Sequence, residues 1–198
     1  TFTLSEYLAL PENERMEILE GMPYLLASPS DQHQRIVLAF GAAFLSALRG
    51  KPCQPRIAPL DVFLDEVDER KPTVVQPDVF VVCDRKKLDD RGCHGAPDLI
   101  IEVLSPGTRQ HDLVRKMNLY RRYGVREYWT VEAELGAVLQ YVLDDKGYRL
   151  AGEGAIEHHA LADDLHQLGL GLIGDLAAGL GGLAARFAQH ADLDELVG

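Results

Sequence analysis

The sequence predicts an α/β fold in which a mixed β-sheet is flanked by helices, and three observations predict it. Amphipathic helical patterns alternate with apolar strand patterns along the chain. Two of the strand segments, "VVQPDVFVV" at 74–82 and "DLIIEVLS" at 98–105, are nearly continuous in β-branched and aliphatic residues, as strands covered on both faces are. Two long segments with helical spacing, 30–49 and 110–123, are available to cover those faces. With 198 residues the chain is long enough for one sizeable core. Residues 1–198 therefore read as a single domain, with 151–198 as a C-terminal extension whose helix packs on it.

The elements follow in order. Residues 3–10 form a short helix, with Thr3 as N-cap and Glu6 three residues on as a capping box, and Pro11 ends it. "RMEILEGMPYLLA" at 15–27 reads as a hairpin turned at Glu20-Gly21. In 30–49 the apolar residues Ile36, Val37, Phe40, Phe44, Leu45 and Leu48 recur at helical spacing, and Gly50 closes the run. "RIAPLDVFL" at 56–64 alternates as one strand, followed by a charged loop over 65–73. The strands 74–82 and 98–105 come next, then the helix 110–123 with Gly124 at its C-cap position. "REYWTVEA" is a strand, and "AVLQYVLDDKGYRLAG" at 137–152 is a hairpin turned at Asp145-Lys146-Gly147. A last helix is expected over 175–190.

Composition narrows the function classes. No apolar run reaches the ~18 residues of a membrane span. The first twenty residues lack a basic region followed by an apolar core, so no signal peptide is read there. Cys53, Cys83 and Cys93 are odd in number and form no Cys-x-x-Cys pair, which predicts reduced thiols, a cytoplasmic setting and no structural zinc. The net charge of −11 counts against a protein that holds nucleic acid by bulk positive charge. The basic residues nevertheless cluster, with Arg115, Lys116, Arg121, Arg122 and Arg126 inside twelve positions. "GLGLIG" at 169–174 matches a dinucleotide loop in letters only, because too little chain follows for the βαβ unit that motif requires.

The chemistry concentrates in acids embedded in strands. Burying an ionised carboxylate costs several kcal/mol unless it is paired or bound to a metal, on the order expected for transfer from water. Strand parity puts Glu102 on a face with Ile100 and Leu104, and Asp78 on a face with Phe80 and Val82. If the two strands lie side by side, Asp78 and Glu102 converge. With the backbone carbonyl of Val103 they make the hard-oxygen set that Mg²⁺ prefers, and Mn²⁺ would substitute. Lys116 falls on one helical stripe with Asp112 and Tyr120, where it can reach the strand ends and steady charge on a phosphate. Asp112, four residues before it, reads as its ion-pair partner and a second-choice pocket member.

The runs "ILEGMPYLLASPSDQHQRIV" and "QPDVFVV…GAPDLIIEVLSPGTRQHDLVRKMNLYRRYGVREYWTV" resemble the Uma2 family of the PD-(D/E)XK nuclease superfamily. The resemblance implies a restriction-endonuclease-like fold and a Mg²⁺-dependent endonuclease acting on DNA. It assigns Asp78 and Glu102 to the metal, Lys116 to catalysis, and Glu20 and His33 to the pocket's neighbourhood. It also implies a homodimer, as is common in this fold. The usual pattern places lysine two residues after the glutamate, where this chain has Leu104, so the helix must supply it. The alternative reading is a non-catalytic member of the fold that binds protein or nucleic acid. A third is a structural subunit that docks an acidic partner through the basic stretch 115–126.

Overall fold

The structure is a computed structural model that describes residues 1–11, 14–104 and 111–155, with the backbone alone at 111–113 and 155. The expected helix over 175–190 and the Gly-rich run at 169–174 lie outside the described residues. No helix among the described residues is long and apolar enough to cross a membrane.

The chain opens with α1 (Leu4–Leu8), whose N-cap Thr3 and Glu6 complete the expected capping box. The hairpin β1 (Met16–Leu19) and β2 (Met22–Leu25) turns at Glu20-Gly21, where Glu20 takes φ 54° and Gly21 φ 80°. Helix α2 (Asp31–Ala47) starts at Ser30, whose side chain accepts the His33 N–H. Five short strands follow: β3 (Gln54–Ile57), β4 (Asp61–Asp65), β5 (Thr73–Val75), β6 (Val79–Val82) and β7 (Gly92–His94). The central strand β8 (Leu99–Leu104) is buried throughout. A π-helical turn at His111–Lys116 then runs into α3 (Met117–Tyr123), which ends at Gly124 in the left-handed conformation, φ 78°. β9 (Glu127–Glu132), β10 (Ala137–Asp144) and β11 (Gly147–Ala155) close the described fold.

These strands form two sheets, where the sequence predicted one. The first has the order β2-β1-β5-β4-β7 and the second β11-β10-β9-β8-β6-β3. Proline divides them. The expected strand 56–64 breaks at Ala58-Pro59, a cis bond, into β3 of the second sheet and β4 of the first. The expected strand 74–82 breaks at Gln76-Pro77-Asp78 into β5 of the first sheet and β6 of the second. A proline has no N–H to give to a ladder, so each one ends pairing and lets the chain change sheets.

Strand parity sets the layers. Val79, Val81, Leu99, Ile101 and Val103 of the second sheet pack on one face against Ile36, Val37, Phe40, Phe44 and Leu48, on or just beyond α2. On the opposite face Phe80, Val82, Ile100 and Tyr128 meet Leu119 and Tyr120 of α3 together with Leu19, Val62 and Val75 of the first sheet. The first long helix thus covers one face, and the second helix shares the other with a sheet.

The cysteine expectation is corrected. Cys53 and Cys83 are joined in a disulfide, and the free thiol is Cys93, which is buried. The pairing could not be read from spacing, because it arises where β3 and β6 run antiparallel. The register Gln54↔Val82, carried one residue outward, brings the two cysteines face to face.

On the edge strand β7, His94 lies between two acids, with Nδ1 2.6 Å from Glu66 and Nε2 3.0 Å from Asp89, and its ring stacks on Phe63. The Glu66 contact foremost, with Asp89 adding to it, raises the His94 pKa against the opposing effect of burial. A folded-state value above the roughly 6.5 of a free histidine means the contact contributes fully below that pH. Its contribution fades as the pH rises through the raised value. Unfolding free energy compared between pH 6 and pH 8 should therefore contain a fall that His94→Gln removes. Phe40→Ala should cost about 3–5 kcal/mol in denaturant titrations. Leu45→Ala, one and a half turns further along α2, should change stability by less than about 0.5 kcal/mol. Phe40 is 1% exposed and Leu45 63%, which is why the two should differ.

Candidate active site

Three elements bring ionisable groups to the junction of the two sheets. Glu17 comes from β1 in the first sheet, Glu102 from β8 in the second, and Lys116 from the end of the π-helical turn. Their residues are 2%, 4% and 4% exposed, so all three are effectively out of water. Lys116 Nζ donates to Glu17 Oε1 at 2.9 Å and to Glu102 Oε1 at 3.0 Å. One ammonium therefore bridges two carboxylates from different sheets. Further donors satisfy the acids: the Tyr120 hydroxyl reaches Glu102 Oε1 at 2.6 Å, and the Gln76 backbone N–H reaches Glu17 Oε1 at 2.9 Å. Burial, and then the nearby charge of Glu102, holds the Tyr120 pKa well above its ordinary value. The phenol stays protonated and serves Glu102 as a donor.

Asp78 stands at the rim of this group. The β6–β8 register runs Phe80↔Ile100 and Val79↔Ile101, and its next step puts Asp78 opposite Glu102. Its Oδ2 accepts the Val103 N–H at 2.8 Å, just past the end of the β6–β8 ladder, and lies 3.2 Å from His33 Nε2. The short passage Gln76-Pro77-Asp78 thus touches both halves of the site, donating to Glu17 at one end and accepting from Val103 at the other.

The sequence candidates are distributed as follows. Asp78, Glu102, Val103, Lys116 and His33 all lie at this junction. Glu20 sits apart, on the β1–β2 turn, with Oε1 2.9 Å from Arg122 Nη1 at the surface. The backbone of Asp112 is in the π-helical turn, and its side chain lies outside the described residues. Two residues had not been singled out. Glu17 carries the same signal as Glu102, an acid inside an apolar strand, but in a stretch of only four residues ("MEIL") beside the Glu20-Gly21 turn. Tyr120 carries no such signal, because its helical position alone does not show that its hydroxyl meets a buried acid.

Residues 4–171 match the family model Uma2, described as "Putative restriction endonuclease". The chain belongs to the Uma2 family. Within this Uma2 chain, 117 residues are 32% identical to an uncharacterized Synechocystis protein, a match that covers 58% of this chain and 60% of the relative's length. A solved structure described as a "putative nuclease belonging to DUF820" from Anabaena variabilis is similar in fold, with a TM-score of 0.63 and 20% identity. That likeness covers 85% of this chain and 98% of the other. The fold is therefore restriction-endonuclease-like, as the resemblance implied.

As a Uma2 protein this chain departs from the superfamily spacing at Leu104, which is buried in β8. Lys116 reaches the glutamate from the helix instead. Removing one partner from a buried ion pair typically costs about 3–5 kcal/mol, because the other charge is left without compensation. Lys116→Met should accordingly lower unfolding free energy by about that much, whereas Arg122→Ala, at an exposed pair, should cost under about 1 kcal/mol. Chemical denaturation of both variants checks the contrast.

Proposed function

We propose that this protein is a Mg²⁺-dependent endonuclease that hydrolyses phosphodiester bonds in DNA, with Asp78 and Glu102 as the metal-binding acids and Lys116 as the catalytic cation. The observation that carries the reading is the meeting of Glu102 and Glu17 on the Lys116 ammonium with Asp78 directly across the strand pair. The donors suit a hard divalent ion: carboxylate oxygens, with the Val103 carbonyl as a third oxygen. Among the described residues no cluster of three or more His, Cys, Asp or Glu side chains has metal-binding geometry. A set of two acids and one carbonyl falls outside that pattern and is consistent with a site completed by water and phosphate. When bound, the ion would lower the pKa of a water and polarise the phosphate.

The chain's own groups do the rest. Asp78 is oriented by the Val103 N–H and by His33, so its carboxylate is held in place before any ligand arrives. Tyr120 fixes the rotamer of Glu102 by donating to Oε1. Lys116 carries donors that can turn from the acids toward a phosphate oxygen and balance the charge that develops there. Glu17 keeps the ammonium at the junction. Family membership and likeness to a nuclease support DNA as the substrate class.

A second reading, a member of the fold that binds without cutting, is favoured by Leu104 at the usual lysine position and by the net charge of −11. Incubation of the protein with plasmid and with single-stranded DNA in Mg²⁺ or Mn²⁺ separates the two. The nuclease reading expects nicking or degradation that falls roughly 10²-fold or more in Asp78→Ala and in Glu102→Ala. It also expects both variants to lose Mn²⁺ affinity in calorimetry while keeping the wild-type circular dichroism spectrum. Unchanged Mn²⁺ affinity in both would defeat the assignment, and binding without any cleavage by wild type would favour the second reading.

A further inference from the structure

We propose that Arg115 binds a backbone phosphate flanking the one at Lys116, and that Tyr24 is the residue that positions it. The inference rests on the nuclease reading of the site only for the identity of the ligand as a nucleic-acid strand; the geometry is independent of it.

The basic cluster at 115–126 is largely committed to the protein itself. Arg122 pairs with Glu20 at 2.9 Å, and Arg126 lies 3.5 Å from Asp98. Arg121 lies against the turn at Gly147, where an added Cβ would come within 3.2 Å of its Nη1. Arg115 differs. Among the described residues it has no carboxylate partner, and its guanidinium carbon stands 4.5 Å from the centre of the Tyr24 ring. A cation held over a ring face is attracted to it without any carboxylate, and a guanidinium carries more N–H donors than such a contact can use. A planar fork of such donors matches the paired oxygens of a phosphate, and holding it on a ring reduces the freedom lost when the phosphate binds.

Its place follows from the β1–β2 register. Tyr24 is the direct partner of Glu17. Opposed residues of an antiparallel pair project from the same face, so the ring stands beside the acid that holds Lys116. Arg115 immediately precedes Lys116 in the π-helical turn, a form that recurs at functional sites. Arg115 and Tyr24 are both half-buried, so the guanidinium is pinned at the edge of the site and not waving in solvent. Lys116, 4% exposed, faces inward, and the half-buried Arg115 beside it is placed to meet a neighbouring phosphate of the same strand.

The test is fluorescence anisotropy with a labelled single-stranded oligonucleotide in EDTA, over a series of salt concentrations. Arg115→Ala should weaken binding roughly tenfold and reduce the slope of log affinity against log salt by about one. Arg115→Lys should restore the slope but only part of the affinity, because the charge returns without the fork. Tyr24→Leu should lose affinity at unchanged net charge, and Tyr24→Phe, which keeps the ring under the guanidinium, should lose less. Wild-type affinity and salt slope in Arg115→Ala, or no measurable binding by wild type, would overturn the proposal. Wild-type affinity in Tyr24→Leu would overturn the positioning role. Melting temperatures of the variants identify any that fail to fold, and Arg115→Gln then replaces Arg115→Ala. Cleavage in Mg²⁺ is read separately. A wild type that binds by these rules but never cuts defeats the nuclease reading and leaves Arg115 standing. A wild type that cuts, with kcat/KM unchanged in Arg115→Ala, defeats Arg115 alone.

Discussion

An ammonium buried between two carboxylates is the constraint around which the rest of this molecule is arranged. Glu17 and Glu102 are each only a few per cent exposed, and Lys116 brings one cationic group to hydrogen-bond distance of both. The direct attraction is offset by the cost of removing three charges from water, so such a group adds little net stability beside an apolar core. What it does is specify. Lys116 ties the placement of the two sheets to that of the helix, because it donates to one acid from each sheet. The Tyr120 hydroxyl and the Gln76 N–H use further acceptor capacity. A polar group satisfied in this way is rigid.

The route of the backbone makes that group possible. Pro77 ends β5 and frees the chain to cross from the first sheet to the second before β6 begins. The crossing residues are those that contact Glu17 and Val103, so the change of sheet and the assembly of the site are one event. β-strand parity then does the sorting. Alternate residues of β6 and β8 face α2 and form a purely apolar layer. The others face α3, with Glu102 among them on β8, and Asp78 stands across from it in the crossing just before β6.

Membership of the Uma2 family and the restriction-endonuclease-like fold set the expectation that a lysine accompanies the glutamate. In this chain strand β8 has Leu104 two residues beyond the acid, and a leucine there joins the buried strand surface. The helix provides the ammonium from fourteen residues downstream. A side chain four carbons long is enough to bring an ammonium from the π-helical turn to an acid on the strand.

Much of this was legible in the residues themselves. Apolar periodicity located α2 and α3, Thr3 and Glu6 marked the capping box of α1, and Gly124 marked the end of α3, because these depend on neighbours a few positions away. The embedded acids Asp78 and Glu102 announced themselves by the cost of burying charge. Contacts between segments distant in sequence were another matter. Spacing does not show that Pro59 and Pro77 send adjoining strands to different sheets, that Cys53 meets Cys83, or that Glu17 and not Glu20 points inward to Lys116. Local sequence determined the elements and which of their faces are apolar, since helix and strand periods are properties of short stretches. Tertiary structure alone decided which buried charges meet, since that depends on the register and crossing of segments nearly a hundred residues apart, as Glu17 and Lys116 are.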